Sequence, residues 1–131
     1  MTQAIMTEIG SGELIDKITI LEIKSERMSD AAKLQNVRHE LSVLSATRDA
    51  HLGDVDGLDA LAARLKEINE ALWVIEDDIR ACEAEKDFGQ KFIDLARAVY
   101  ITNDKRAAVK KEINLLTGAT IVEEKSYTEF D

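Results

Sequence analysis

A cluster of polar and basic residues near the carboxyl end is the strongest sign of chemistry in the sequence. It consists of Thr102, Asn103, Asp104, Lys105, Arg106, Lys110 and Lys111. The first three residue types favour the position just before a helix, where free backbone N–H groups attract anions. The cluster could therefore bind a phosphate, a carboxylate or an acidic segment of a partner. The competing interpretation is that Asn103 or Asp104 caps a helix and the basic side chains pair within the chain.

Acidic residues one helical turn apart raise the question of a metal site. Glu13 and Asp16 have this spacing, and magnesium sites on helices use carboxylates that share one face. The second acidic pair that all-helical nucleotide pyrophosphohydrolases place further along is missing, and 26 acidic residues produce such spacings by chance. His39 and His51 lie too far apart to match a zinc pattern. The sequence predicts no metal and no cofactor.

No nucleophile signature is present either. The single cysteine, Cys82, falls on an apolar stripe and is expected to be a buried, inert thiol. Serine nucleophile arrangements, glycine-rich phosphate loops and dinucleotide fingerprints are all missing. The sequence therefore predicts no catalytic residue.

The expected location follows from the cysteine count and the segments that are missing. One cysteine forms no intrachain disulfide, and nothing indicates an oxidising compartment. Residues 1–9 lack the basic flank and apolar stretch of a signal peptide. No segment approaches the ~20 apolar residues of a membrane helix. We expect a cytoplasmic protein.

Composition favours long helices. The 131 residues are 45% hydrophobic, 33% charged and only 5% aromatic, with no proline. A net charge of -9 argues against nucleic acid or an anionic membrane as the main partner, because both would be repelled. Thin helices enclose little core by themselves, so we expect the chain to associate with other copies of itself.

The clearest periodicity lies in the middle of the chain. Apolar residues alternate at spacings of three and four at Leu58, Leu61, Leu65, Ile68, Leu72, Ile75, Ile79 and Cys82. Residues 30–52 share this period, and the turn at residues 53–57 is rich in glycine and aspartate. The pattern predicts a long antiparallel coiled-coil hairpin formed by residues 30–52 and 57–86.

The remaining elements complete an all-α prediction for a single domain over residues 1–131. A first helix is expected to be the most buried element or a subunit interface, and two shorter helices follow the hairpin, separated at Thr102 to Asp104. Short strands are conceivable at both termini, where β-branched residues occur. The predicted boundaries are an extension at 1–11, helices at 13–28, 88–101 and 104–117, and a tail at 119–131.

Four apolar residues are candidates for a subunit or partner interface. Leu14, Ile20 and Ile23 place apolar side chains on more than one side of the first helix. Trp73 is the single tryptophan, and tryptophan is enriched at interface anchors. Packing within one chain is the alternative for each of them.

Three separated runs resemble a family of small bacterial and bacteriophage proteins of unknown function. They are residues 12–24 (GELIDKITILEIK), 100–104 (YITND) and 123–127 (EEKSY), and the resemblance extends over almost the whole chain. It implies no activity and no substrate. It does imply that these segments act together, so we expect them to meet at one end of the hairpin and form one polar site.

Two functions are compatible with these observations. The first is a non-enzymatic, homo-oligomeric interaction or assembly protein, which recruits a protein partner through the polar site or the Trp73 face. The second is a small helical enzyme or ligand-binding protein for an anionic molecule at residues 102–111. A concave site with converging polar groups would favour the second, and apolar surface buried between chains would favour the first. The candidate binding residues are Thr102, Asn103, Asp104, Arg106, Lys110 and Tyr127.

Overall fold

Four α-helices make up most of the chain in a computed structural model that describes residues 3–130. They are α1 (Ser11–Arg27), α2 (Ala31–Leu52), α3 (Leu58–Ala84) and α4 (Gln90–Thr117). The all-α prediction is confirmed, and residues 3–130 contain no strand, so the short terminal strands are not observed. Residues 1, 2 and 131, the outermost parts of the predicted extension and tail, lie outside the described range.

Helix α1 is the centre of the fold because it packs against all three other helices. Apolar side chains on several sides of a helix require several neighbours, and α1 has them. Its buried residues are Gly12, Leu14, Ile15, Asp16, Ile18, Thr19, Leu21 and Ile23. The main core forms where α1 meets Leu58 and Leu65 of α3 and Val109 and Ile113 of α4.

The predicted pairing of α2 with α3 in a coiled-coil hairpin is not confirmed. Helix α2 packs mainly on α1, and the most extensive contact in the chain joins α3 to α4. These two helices run antiparallel, since Arg64 near the start of α3 forms an ion pair of 3.1 Å with Glu112 near the end of α4. A heptad stripe shows that a helix has an apolar face, but it does not specify which neighbour covers that face.

The predicted break at Thr102, Asn103 and Asp104 is also absent, and α4 continues through it to Thr117. The prediction of two C-terminal helices was therefore wrong. Residues that favour caps cost well under 1 kcal/mol each inside a helix, so packing of α4 on α1 and α3 outweighs them. Helix α4 ends at Gly118, which adopts a left-handed conformation at φ 67° that glycine permits.

Part of the α3–α4 hairpin extends beyond the other helices. Helix α3 has 27 residues and α1 has 17, which correspond to about 40 and 25 Å. The C-terminal half of α1 reaches Trp73, since Ile23 and Trp73 line the same cavity. We call residues 74–102 the arm. Cys82 is its one buried residue, and the rings of Phe88 and Phe92 meet edge to face at its tip.

Two glycines allow the start of α1 to lie against α4 and the C-terminal tail. A Cβ atom on Gly12 would overlap the backbone oxygen of Lys110. A Cβ atom on Gly10 would lie 2.7 Å from the backbone oxygen of Ile121. Both contacts involve backbone atoms, which cannot rotate away. The spacing of these glycines therefore determines how closely α1 approaches α4.

We predict that Gly12→Ala lowers the free energy of unfolding by about 1–3 kcal/mol, the usual cost of overpacking. Urea denaturation monitored by circular dichroism would measure the loss. Gly89→Ala is the control, because its added Cβ meets only a side-chain oxygen of Asp87 at 3.3 Å. A loss of the same size in both variants would show that α1 and α4 do not require the close approach.

Candidate functional site

A buried ion pair joins α1 to α4. The side chain of Asp16 is 1% exposed, and its two carboxylate oxygens accept hydrogen bonds from Nε and Nη2 of Arg106. Asn69 of α3 donates its amide to Oδ1 of Asp16 and to Oγ1 of Thr19, both at 2.9 Å. The hydrogen bond to Asp16 raises the pKa of Arg106 above its ordinary value, although burial acts in the opposite direction. This network holds the guanidinium in one orientation.

A second ion pair lies one helical turn away. Lys110 Nζ is 2.8 Å from Glu13 Oε2 and 3.6 Å from Glu123 Oε2 in the tail. Because the helices are antiparallel, the order Glu13, Asp16 on α1 matches the order Lys110, Arg106 on α4. We call these four residues the α1–α4 clamp. Sequence reasoning tested the acidic pair for a metal site and missed this matched spacing of opposite charges.

The N-terminus of α1 is capped from α4. Gly10 at the N-cap position has no side chain to accept a hydrogen bond, and Oδ1 of Asn114 accepts one from the Gly12 amide at 2.8 Å instead. Asn114 is buried, and its backbone oxygen also accepts a hydrogen bond from Ala119 N. One residue thus joins the start of α1 to the end of α4. A cap from a distant helix has no local sequence signal.

An open cavity of about 670 Å³ lies beside the clamp, between the start of α1, one side of α4 and the tail. We call it the terminal cleft. Its lining includes parts of all three runs that resemble the family, at residues 12–24, 100–104 and 123–127. The residues that line it are Glu8, Ile9, Gly10, Glu13, Asp104, Ala107, Ala108, Lys110, Lys111, Asn114, Ile121, Glu123, Glu124, Lys125 and Tyr127. Five carboxylates therefore face three ammonium groups.

The tail returns along α4 and forms one wall of the cleft. The ring of Phe130 meets the ring of Tyr100 edge to face, with centroids 5.3 Å apart. From Gly118 this contact lies 18 residues back along the helix, or about 27 Å, and the tail covers that distance in 12 residues. The mean advance of the tail along α4 is therefore roughly 2 Å per residue, further than in a helix and less than in a full strand.

A second cavity, of about 380 Å³, lies on the neighbouring side of α4 between α1 and α3. We call it the Trp73 pocket. Ile20, Ile23 and Trp73 provide apolar wall, and Asn103 and Arg106 provide polar groups. Two of the guanidinium N–H groups of Arg106 are used by Asp16, which leaves three of its five donors for other partners.

The structure thus divides the predicted binding residues between two cavities. Asp104, Lys110 and Tyr127 line the terminal cleft, while Asn103 and Arg106 line the Trp73 pocket. Thr102 is half-buried in α4 and lines neither cavity.

The four candidate interface residues also separate. Leu14 and Ile23 are buried within the single chain, so the core of that chain already uses their side chains. Ile20 and Trp73 are half-buried at the Trp73 pocket. Of the four, only these two retain surface that another molecule can contact.

Between residues 3 and 130, no three side chains of His, Cys, Asp or Glu are grouped so that they could hold a metal ion. None of the four helices is long and apolar enough to cross a membrane.

Comparison with known proteins identifies the family. The model of a family of unknown function, DUF6165, matches residues 5–130. Because this match covers nearly the whole chain, the protein belongs to that family, and the expected membership of a family without assigned function is confirmed. No curated protein and no solved structure was found to match the chain.

We predict that Arg106→Met lowers the free energy of unfolding by about 3–5 kcal/mol, because it leaves the buried carboxylate of Asp16 without its ion pair. Asp16→Asn combined with Arg106→Met should recover part of the loss, since it removes the unpaired charge. Chemical denaturation of the three proteins would measure both effects.

Arg64→Met provides the matched control for this experiment. Arg64 also pairs with a carboxylate, Glu112, but both side chains are about half exposed, so its loss should cost less than about 1 kcal/mol. If Arg64→Met and Arg106→Met cost the same, the clamp does not hold α1 to α4.

Proposed function

We propose that the protein is a non-enzymatic, homo-oligomeric interaction protein, and that the arm is the contact between copies. The main support for this proposal is the large solvent-accessible surface area of a single chain. A chain of 14.6 kDa exposes 9256 Å², whereas a compact monomer of that mass exposes about 6900 Å². The difference of about 2300 Å² exceeds the ~800 Å² that each partner buries in a standard protein interface.

The arm accounts for part of this surface. Two helices cover each other on one side only, and Cys82 is the one buried residue among residues 74–102. Val74, Phe88 and Ile93 are 46%, 51% and 48% exposed. A helix pair of this kind gains a core when a second pair packs on it, which is the arrangement of a four-helix bundle.

The charges of the arm favour a second copy over other occupants. Residues 74–87, from α3 and the turn, contain six acidic and two basic residues. Residues 88–102, mainly from α4, contain two basic residues and one acidic residue. Placing α3 of one copy beside α4 of the other brings the negative half against the slightly positive half. A two-fold axis satisfies both contacts at once.

An anionic ligand at residues 102–111 is the second candidate, and it has less support. Arg106 and Lys110 already form ion pairs with Asp16, Glu13 and Glu123. The terminal cleft also contains more carboxylates than ammonium groups. Three unused donors of Arg106 in the Trp73 pocket are what favours this candidate.

The remaining parts of the proposal rest on sequence. The single cysteine is compatible with a reducing compartment such as the cytoplasm. The net charge of -9 disfavours nucleic acid and anionic membranes as partners.

We predict that light scattering gives a mass at a multiple of 14.6 kDa and that Ile93→Glu shifts it towards the monomer. A carboxylate buried in an apolar contact between copies is strongly unfavourable, so the dissociation constant should rise by about 100-fold or more. A dilution series would measure the dissociation constants of the wild-type protein and of the Ile93→Glu variant.

Val43→Glu is the control, because Val43 is 50% exposed on α2 and lies outside the arm. It should leave the mass unchanged. A monomeric wild-type protein at high concentration would contradict self-association, and equal effects of the two variants would contradict the arm as the contact.

A further inference from the structure

The terminal cleft has the size and lining of a binding site. Its volume of about 670 Å³ lies within the range of about 300–1,000 Å³ that is usual for ligand sites. Its lining combines charged side chains with small or apolar ones, which include Ile9, Ala107, Ala108 and Ile121. An extended peptide, whose successive side chains point to opposite sides, can place apolar and charged residues against such a lining.

Backbone groups at the edge of the cleft are available to a partner. Among the described residues, neither residues 3–9 nor residues 120–130 form any backbone–backbone hydrogen bond. The tail is nevertheless stretched along α4 and held at Glu123 and Phe130. Water must therefore satisfy its N–H and C=O groups in the free chain. A stretched segment with unpaired backbone groups accepts another extended segment by strand addition.

The charged residues that line the terminal cleft indicate the charge of the segment that it can bind. Glu8, Asp104 and Glu124 take part in no ion pair within residues 3–130, and Lys111 is the one lining ammonium group of which the same is true. Lys110 and Lys125 are both paired with Glu123. The unpaired charge that faces a ligand is therefore negative.

We propose that the terminal cleft binds an extended segment of another protein in which basic and apolar residues alternate. The tail would supply backbone hydrogen bonds, Asp104 and Glu124 would contact the basic side chains, and the apolar lining would take the others. This site does not depend on contact between arms. It adds a class of partner to the proposed function, and each of the two proposals can be tested without the other.

A second copy of this chain is a poor occupant of the cleft. The segment at residues 3–9 contains an acidic residue and no basic one. The tail carries four acidic residues and one basic residue between positions 119 and 131. Both would be repelled by the unpaired carboxylates.

Fluorescence anisotropy with three labelled peptides of about eight residues, long enough to span ~25 Å as a strand, would test the proposal. The probes are an alternating Lys-Val peptide, an alternating Glu-Val peptide, and a Lys-Val peptide with N-methylated valines. We expect the first to bind, and the other two to bind about tenfold more weakly or worse, because they lack the charge or the backbone donors. Equal binding of the methylated peptide, or no binding of the first, would overturn the proposal.

Matched variants separate the cleft from the overall negative charge. Asp104→Asn with Glu124→Gln should weaken binding of the Lys-Val peptide by about tenfold. Asp78→Asn with Glu85→Gln removes the same two charges from the arm and should have little effect. If both double variants lost the same affinity for the peptide, binding would depend only on the net charge of the protein, and the cleft would not be the binding site.

The Ile93→Glu protein distinguishes this proposal from the proposed function. Light scattering on that variant measures self-association, and fluorescence anisotropy on the same sample measures binding of the Lys-Val peptide to the cleft. Unchanged peptide binding by a dissociated chain is the expected result. Loss of peptide binding on dissociation would show that the cleft is not a site of the single chain.

Discussion

The buried carboxylate of Asp16 is the constraint on which the rest of the structure depends. A charge that leaves water costs several kcal/mol unless it is paired and hydrogen-bonded. Asp16 therefore requires Arg106 from α4 and the amide of Asn69 from α3 in one fixed arrangement. A shift of α4 by one residue along α1 would break this pair and also separate Lys110 from Glu13. The clamp thus sets the register of α4, while the apolar face of α1 provides most of the favourable burial.

The short central helix explains why the chain has two different ends. Helix α1 covers the first half of α3 and the second half of α4, and it ends where the arm begins. At the covered end, Gly10 and Gly12 bring the backbone of α1 close enough for Asn114 to cap it. In the arm only Cys82 is buried, and Val74, Phe88 and Ile93 remain exposed to solvent.

These two ends permit two interactions at the same time. Asp104 at the terminal cleft and Gly89 at the arm tip are 15 residues apart on α4, or about 22 Å. Pairing of arms near this tip would leave the cleft open in each copy. An assembly of this kind would present several clefts to one partner, and linked sites bind more tightly than a single site without any new contact.

Much of the architecture could be predicted, but the pairing of helices could not. The apolar period of residues 58–82 predicted a helix there, and α3 occupies it. The same period could not choose between α2 and α4 as the neighbour. Thr102 to Asp104 indicated a boundary that the tertiary packing removes, because a local preference of a few tenths of a kcal/mol is smaller than the burial that a continuous helix gains.

The candidate site, too, could be predicted only in part from the sequence. The sequence predicts that the runs at residues 12–24, 100–104 and 123–127 meet in one polar site, and residues of all three line the terminal cleft. The placement of Asn103 and Arg106 in a separate pocket was not foreseen, since it depends on which side of α4 faces α1.

By itself the sequence determined the all-helical class, the wide apolar surface of the first helix and the excess of acidic charge, because these follow from composition and local spacing. Tertiary structure alone decided that Asp16 and Arg106 meet across 90 residues of chain, that Asn114 caps α1, and that the arm keeps exposed apolar side chains. Such contacts depend on which residues, distant in the chain, pair with a buried charge or with a free backbone amide. Local sequence patterns do not predict these pairings.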